Sequence, residues 1–387
     1  MLRKLLFLLC LGALVMGVPA LAQDATAEAT AASAPTTWTC PADVVAKVQA
    51  LPEDQRVFNW FTWTTYEGPN TLSDFGKLCG VTAKEDFYGS NEDMIAKLRQ
   101  GNPGYDVIVP TGNYIPIMVR GDLLEKIDLT KIPNFANVSK ALQAPVYDAK
   151  NEYSVPYQWG TIAIGYNKQA VGHEVTSWDD MWNFKGNVAW TEDPRSMFGI
   201  ALNLLGKDPN TTNVDDINAA RDFLADHGSN VRTIAQDDGQ EKLVSGEVDM
   251  VVEYSGDILQ KMIECDDKPE LNCKDKYNYV VPKEGSVRWV DNLAIPKDAP
   301  HPELANAFLD YILDAQVGAD ISNTTEYATP NQKAIDDKLI NPADLTNPII
   351  YPTDEVNKTL FVIADVGDEA TKSYNDAWTE LKTLLGQ

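Results

Sequence analysis

The sequence predicts an α/β protein with parallel strands, divided into two lobes. Short apolar runs typical of buried strands alternate with segments that carry apolar residues at helical spacing. This alternation is the pattern of α/β folds, in which helices cover a mostly parallel sheet. About 330 residues follow Arg56, more than one hydrophobic core normally serves, so we expect two lobes.

Each strand and helix is predicted from the spacing of its apolar residues. Runs of apolar and β-branched or aromatic residues, predicted as strands, occupy 57–63, 105–110, 161–166 and 250–254. Segments with apolar residues three and four positions apart, predicted as helices, occupy 91–99, 115–120, 179–184, 198–205 and 302–313. Two polar stretches, 208–213 and 266–276, predict loops.

The N-terminus predicts export. Residues 1–22 combine a basic start, an apolar run and the small residues of Ala20-Leu21-Ala22, which is the pattern of a cleaved secretory signal. No later stretch approaches the roughly 20 apolar residues of a membrane span. Residues 23–55 are predicted as a flexible leader and N-terminal extension, because 23–37 lack the large apolar side chains that would favour ordering. The periplasm is the predicted compartment.

Charge and cysteine content fit an exported protein. The chain has a net charge of −25, which disfavours nucleic acid and anionic membranes as partners. Four cysteines follow the signal, and an even count in an oxidising compartment favours two disulfides. Cys40 with Cys79 and Cys265 with Cys273 is the pairing we expect, although the sequence leaves three connectivities open.

Two segments place an aromatic ring beside a carboxylate. Tyr254 precedes Asp257 by three residues, and Trp289 precedes Asp291 by two. Alternate side chains of a strand share a face, so Trp289 and Asp291 should point the same way. A ring and a carboxylate together can stack on an alkylamine and neutralise its ammonium. The pattern predicts a pocket for an organic cation.

Catalytic, metal and cofactor motifs are missing from the sequence. His173, His227 and His301 all lie in surface-loop contexts, and the adjacent acids Glu192 and Asp193 give no catalytic geometry by themselves. There is no GxSxG, HExxH, metal-ligand cluster or nucleotide fingerprint. We therefore expect no enzyme activity, no metal and no cofactor.

Several segments together resemble the periplasmic spermidine/putrescine-binding proteins of polyamine ABC transporters. They include 63–66, YDVIVPT (105–111), VPYQWGTIAIGYN (155–167), TEDPRSMF (191–198) and WVDNLAIP (289–296). The resemblance spans nearly all of 56–387. It implies an extracytoplasmic receptor, expected as a monomer, that captures putrescine or spermidine and delivers it to inner-membrane ABC permease subunits.

The resemblance also implies the fold and the domain organisation. It is the two-lobed periplasmic binding protein fold, with a ligand cleft between the lobes and three interlobe crossovers, here near Trp159, Trp289 and Asn331. Lobe 1 would comprise 56–158 plus 289–331. Lobe 2 would comprise 159–288 plus 332–387.

The resemblance matches each ligand-contacting position of the family to a residue of this sequence. Asp193, Asp257 and Asp291 fall on carboxylates or match aspartates that hold ammonium groups, and the aromatic and hydroxyl positions line the cleft. The full ligand-binding set implied by the resemblance is Trp63, Thr64, Tyr66, Thr111, Asp193, Tyr254, Asp257, Trp289, Asp291 and Tyr327. Asp193 also precedes Pro194, so it can instead cap a helix.

Three departures from the family bear on specificity. Ser196 stands where the family usually has a glutamate, Asn113 replaces a tyrosine of the spermidine-type branch, and Ile363 replaces a glutamine. These changes favour a diamine over spermidine, or another cation. The alternative ligand is a quaternary ammonium compound held in an aromatic box of Trp63, Tyr254 and Trp289.

Overall fold

A computed structural model describes residues 36–266 and 273–387. The predicted signal peptide at 1–22 and residues 23–35 of the predicted leader lie outside the described residues. The strands are β1 Val57–Thr62, β2 Thr82–Phe87, β3 Val107–Ile108, β4 Ser154–Asn167, β5 Val188–Thr191, β6 Val231–Ala235, β7 Met250–Tyr254, β8 Tyr277–Val280 and β9 Val287–Ala294.

The helices are numbered in chain order. Their bounds are α1 Ala42–Ala50, α2 Thr71–Cys79, α3 Asn91–Arg99, α4 Ile115–Arg120, α5 Lys168–Val171, α6 Trp178–Trp182, α7 Pro194–Leu204, α8 Val214–His227, α9 Gly239–Ser245, α10 Ser255–Asp266, α11 Cys273–Lys276, α12 Pro302–Ile312, α13 Ala315–Thr325, α14 Gln332–Asp336, α15 Pro342–Leu345, α16 Asp354–Asn357 and α17 Gly367–Leu385. No helix in this part of the chain is both long and apolar enough to cross a bilayer.

The strands form a mixed sheet in the order β2-β1-β3-β9-β4-β7-β5-β6, with β8 also paired to β4. The pairs β1–β2, β1–β3, β5–β6 and β5–β7 are parallel, as predicted. The central pairs β3–β9, β9–β4, β4–β7 and β4–β8 are antiparallel, so the prediction of parallel strands is wrong there. The reason is that β4 and β9 run in opposite directions and join two parallel groups of strands.

Most predicted elements are confirmed. The helices at 91–99 and 115–120 and the strand at 250–254 have the predicted bounds, and the loop at 208–213 is also confirmed. The predicted strand at 105–110 shortens to two residues. The predicted loop at 266–276 is wrong at both ends, where Asp266 ends α10 and Cys273–Lys276 forms α11, while 267–272 lie outside the described residues.

The N-terminal residues pack against helices α2 and α12. The indole Nε1 of Trp38 donates a hydrogen bond of 2.8 Å to Oδ2 of Asp310 on α12. Cys40 is disulfide-bonded to Cys79 at the end of α2, with 5.2 Å between their Cα atoms. Cys265 is bonded to Cys273, with a Cα separation of 5.6 Å. The expected pairing is confirmed.

The Cys40–Cys79 bond should carry a measurable share of stability. It closes a loop of 39 residues. A loop of this length gives a loss of unfolded-state entropy worth about 3–4 kcal/mol. Replacing Cys40 and Cys79 together by alanine should lower the free energy of unfolding by about that amount, measured by urea denaturation. Cys265 and Cys273 stay intact, which avoids mispaired thiols. An unchanged urea midpoint would contradict the prediction.

Candidate functional site

A small cavity of about 30 Å³ lies where the two groups of strands meet. Its walls come from the segment after β1, from the carboxyl ends of β6 and β7, from β9 and from the segment that follows α13. We call it the inner cavity. Its lining residues are Trp63, Thr64, Tyr66, Thr111, Asp237, Tyr254, Asp257, Trp289, Asp291 and Tyr327.

Nine of the ten residues singled out in the sequence therefore lie together. Trp289 and Asp291 both face this cavity, as the two-residue period of a strand predicts. Asp193 is the exception, and it lines a neighbouring cavity. Asp237 was missed by the sequence reasoning. It follows β6, and the signal that points to it is the meeting of the carboxyl ends of the parallel strands β5, β6 and β7 at one edge.

Asp291 is buried in the floor of the inner cavity. The Tyr66 hydroxyl donates a hydrogen bond of 3.0 Å to its Oδ2. Its other oxygen, Oδ1, is buried and has no hydrogen-bond partner among the described residues. Burial raises the pKa of Asp291 to about 7, and the charge of Asp237 adds to this effect, while interactions with the side-chain hydroxyls of Thr111 and Tyr66 oppose it. The site thus holds an acceptor with unused capacity.

Asp257 lies in the first turn of α10 and also lines the inner cavity. Its backbone N–H donates a hydrogen bond of 3.2 Å to the hydroxyl of Tyr327. Burial raises the pKa of the Asp257 carboxyl to about 8, and the charges of Asp237 and Asp291 contribute in the same direction. Like charges that share a small volume disfavour one another's ionisation. A cation bound in the cavity would relieve this repulsion.

Asp237 connects the two groups of strands. The Thr64 hydroxyl, which follows β1, donates a hydrogen bond of 2.5 Å to Oδ2 of Asp237, which follows β6. Burial raises the pKa of Asp237 as well. Within residues 36–266 and 273–387, no group of three or more His, Cys, Asp or Glu side chains is arranged to hold a metal ion.

Aromatic rings close the remaining sides. Trp289 lies edge-on to Tyr327, with ring centroids 5.0 Å apart, and edge-on to Tyr254 at 5.8 Å. Two glycines make this approach possible. A Cβ at Gly160 would lie 2.8 Å from Trp289, and one at Gly256 would lie 2.6 Å from Tyr327. Rings at this spacing provide faces on which methylene groups can stack.

Asp193 caps helix α7. Its Oδ1 accepts a hydrogen bond of 3.0 Å from the Ser196 backbone N–H, and its Oδ2 accepts one of 2.6 Å from the Ser196 hydroxyl. The capping role that the sequence left open is therefore present. Asp193 also lines a second cavity of about 660 Å³, the outer cavity, which shares Thr111, Tyr254 and Trp289 with the inner cavity.

The raised carboxyl pKa values predict how stability depends on pH. Asp257 and Asp291 have folded-state pKa values of about 8 and about 7, above the roughly 4 of an unfolded aspartate. Between these limits the folded state binds more protons than the unfolded state, so its stability falls as pH rises. Thermal melts of the ligand-free protein should show a lower Tm at pH 8 than at pH 6. A double variant with asparagine at both positions should have a shallower slope, while Glu67, Asp237 and Glu253, whose pKa values burial also raises, supply the remainder. The same slope in that variant would contradict the assignment.

Comparisons with known proteins identify the family of this chain. Residues 70–348 match the family described as bacterial extracellular solute-binding protein. The putrescine-binding periplasmic protein of Pseudomonas aeruginosa is 32% identical over 86% of this chain and 94% of its own length. The spermidine/putrescine-binding periplasmic protein of Escherichia coli is 33% identical over 86% and 93%.

Solved structures show the same fold. The substrate-binding protein of a spermidine/putrescine ABC transporter from Streptococcus pneumoniae superposes with a TM-score of 0.71 at 28% identity. The alignment covers 86% of this chain and 100% of that one.

Proposed function

This chain belongs to the bacterial extracellular solute-binding protein family, and on that basis we propose that it is the periplasmic receptor of a polyamine ABC transporter. The family and the two-lobed α/β fold predicted from the sequence are confirmed. The receptor captures putrescine or spermidine and delivers it to an inner-membrane permease. It acts as a monomer, and it catalyses no reaction because the matched family is one of solute-binding proteins and not of enzymes.

The observation that carries the proposal is the composition of the inner cavity. Asp237, Asp257 and Asp291 converge there, and no lysine, arginine or histidine lines it. A primary ammonium has three N–H donors, so it can satisfy several carboxylates at once and neutralise them. The aromatic rings of Trp63, Tyr254, Trp289 and Tyr327 then stack on the methylenes, while the hydroxyls of Thr64, Tyr66 and Thr111 orient the acids or the amine.

The same composition argues against a quaternary ammonium ligand. Such a ligand has no N–H group, so the unpartnered Oδ1 of Asp291 would stay without a hydrogen bond. An aromatic box is favoured for that ligand class, whereas three converging carboxylates favour a donor. We therefore expect choline to bind far more weakly than putrescine.

The central strands support a hinge between the two lobes. Trp159 on β4 pairs with Val290 on β9, and its backbone exchanges two hydrogen bonds of 3.1 Å with Ala328. Trp159 therefore pairs with a residue close to each of the other two predicted crossovers. With lobe 1 as 56–158 plus 289–331 and lobe 2 as 159–288 plus 332–387, the ligand would lie between the lobes and close them by bending these segments.

Calorimetric titration of the ligand-stripped protein tests the proposal. Putrescine, spermidine and choline are titrated side by side, and we expect micromolar or tighter binding of at least one polyamine. Binding of choline alone would move the protein to another class of cation. Absence of binding by both polyamines would overturn the polyamine assignment and leave the family membership intact.

Asp237 offers a second test with a matched control. Asp237→Asn removes one carboxylate from the inner cavity, and we expect putrescine affinity to fall about tenfold, since a hydrogen bond to a charged group contributes about 1.5–3 kcal/mol. Asp238→Asn removes a neighbouring charge that pairs with Lys242 outside the cavity. Calorimetry should show near wild-type affinity for that control. Equal affinities in the two variants would contradict a role for Asp237.

A further inference from the structure

The outer cavity is much larger than a diamine requires. It extends from the walls that it shares with the inner cavity to residues 141–147 and residues 362–365. It lies along an open edge of β9. This edge is bridged at Val287 by Phe361 and at Asp291 by Thr111, and between these bridges side chains from both faces of β9 line the cavity.

The carboxylates of the outer cavity already have hydrogen-bond or ion-pair partners. Asp193 caps α7 and accepts hydrogen bonds from Ser196 with both oxygens. Asp365 forms an ion pair with Arg120. Ser196 itself stands at the position where the resembled family usually has a glutamate. A second ammonium group would therefore gain less from the outer cavity than the first gains from the inner cavity.

The same cavity contains a cation without a counter-charge. Arg288 lines it, with its guanidinium 5.2 Å from the centre of the Trp159 ring. Its Nε is buried without a hydrogen-bond partner, and no carboxylate in residues 36–266 or 273–387 forms an ion pair with it. Arg195, the other cation of the wall, also has a buried Nε without a partner, but its terminal nitrogens donate hydrogen bonds to the Ala364 carbonyl and to Asn210, and the charges of Asp193 and Asp365 act on it.

An unpaired guanidinium beside a cavity favours an anionic group in the ligand. A partly desolvated charge is costly unless it is paired, and a planar guanidinium matches a carboxylate in two parallel hydrogen bonds. The two cavities thus prefer opposite charges. The inner one is lined by three carboxylates, and the outer one contains Arg288.

We propose that the protein binds diamines that carry a carboxylate-bearing acyl group on one nitrogen. The free ammonium lies in the inner cavity, the alkyl chain passes Trp289 and Tyr254, and the carboxylate pairs with Arg288 in the outer cavity. This inference rests on the proposed function, because it uses the same ammonium site, and it extends the ligand class beyond free polyamines.

Titration with matched probes tests the inference. N-Succinylputrescine and N-acetylputrescine share the free ammonium and the amide, and only the first carries a carboxylate. We expect the wild-type protein to bind N-succinylputrescine at least about tenfold more tightly, as a charge-assisted pair predicts. This comparison requires no variant to fold. Equal affinities, or a preference for the acetyl compound, would overturn the proposal.

Two variants test whether Arg288 causes the preference for N-succinylputrescine. Arg288→Gln should reduce the ratio of the two affinities to within about twofold, chiefly by weakening the binding of N-succinylputrescine. Arg232→Gln, at an exposed position on β6 outside both cavities, removes the same charge and should keep the wild-type ratio. A ratio unchanged in Arg288→Gln would overturn the assignment to Arg288.

Free putrescine separates this inference from the proposed function. If putrescine binds and N-succinylputrescine does not, the inference fails and the polyamine receptor stands. If N-succinylputrescine alone binds, the inference holds and the free polyamines are not the ligands.

Discussion

Asp291→Asn should reduce putrescine affinity by about a hundredfold or more. Asp291 is 6% exposed, and its Oδ1 has no partner in the described part of the chain. A bound ammonium would be its counter-charge. Removing one member of a buried, hydrogen-bonded charge pair costs about 2–5 kcal/mol, because the other charge is left desolvated. Asparagine keeps the shape and can still accept the Tyr66 hydrogen bond, so the loss reports the charge and not the fold.

Calorimetry at pH 8 measures this effect. Asp298→Asn is the matched control, because Asp298 is exposed in the segment after β9 and has a positive φ of 56° that asparagine adopts readily. It should bind putrescine like the wild type. An Asp291→Asn protein that retains affinity within a few-fold would show that the ammonium lies elsewhere in the cleft.

Putrescine affinity should increase by about tenfold or more between pH 6 and pH 8. In the ligand-free protein Asp291 and Asp257 have pKa values of about 7 and about 8, raised chiefly by burial. At pH 6 both are largely protonated, whereas the amine stays charged because alkylammonium groups have pKa values near 10. Binding must then displace protons, so affinity weakens as pH falls. This direction is opposite to that of ligand-free stability, which decreases as pH rises.

Titrations in buffers of different ionisation enthalpy measure the protons released on binding. We expect up to two protons released per putrescine near pH 6 and fewer near pH 9. The Asp291→Asn variant should release fewer protons than the wild type at pH 6. A flat affinity from pH 6 to pH 8, with no proton release, would mean that these carboxyls are ionised before the ligand arrives.

The sequence predicted the features that depend on residue spacing and on capping residues close together in the chain. The two-residue period of a strand placed Trp289 and Asp291 on one face, and both line the inner cavity. Helical spacing gave α3 and α4 their bounds, and the Asp-Pro pair at 193–194 indicated the cap of α7 that the structure contains. The ring-and-carboxylate pattern also indicated Tyr254 and Asp257, and the family resemblance added the remaining predicted residues of the cavity, Trp63, Thr64, Tyr66, Thr111 and Tyr327.

The tertiary structure decided what depends on distant segments. Asp237 belongs to a polar loop, and only the packing of β6 beside β5 brings it to Thr64, 173 positions away in the chain. The antiparallel centre of the sheet follows from the pairing of β4 with β9, which no local pattern reports.

Residue types and local periods determined which side chains can bind an amine and which elements carry them. Charge balance was decided only in three dimensions, because a carboxylate is available to a ligand only if no neighbour has already engaged it. Asp193 is engaged by Ser196 and Asp365 by Arg120, whereas Asp291 keeps an unpartnered oxygen and Arg288 keeps an unpaired charge. Which charges remain unpaired is a property of packing, so it could not be obtained from the sequence alone.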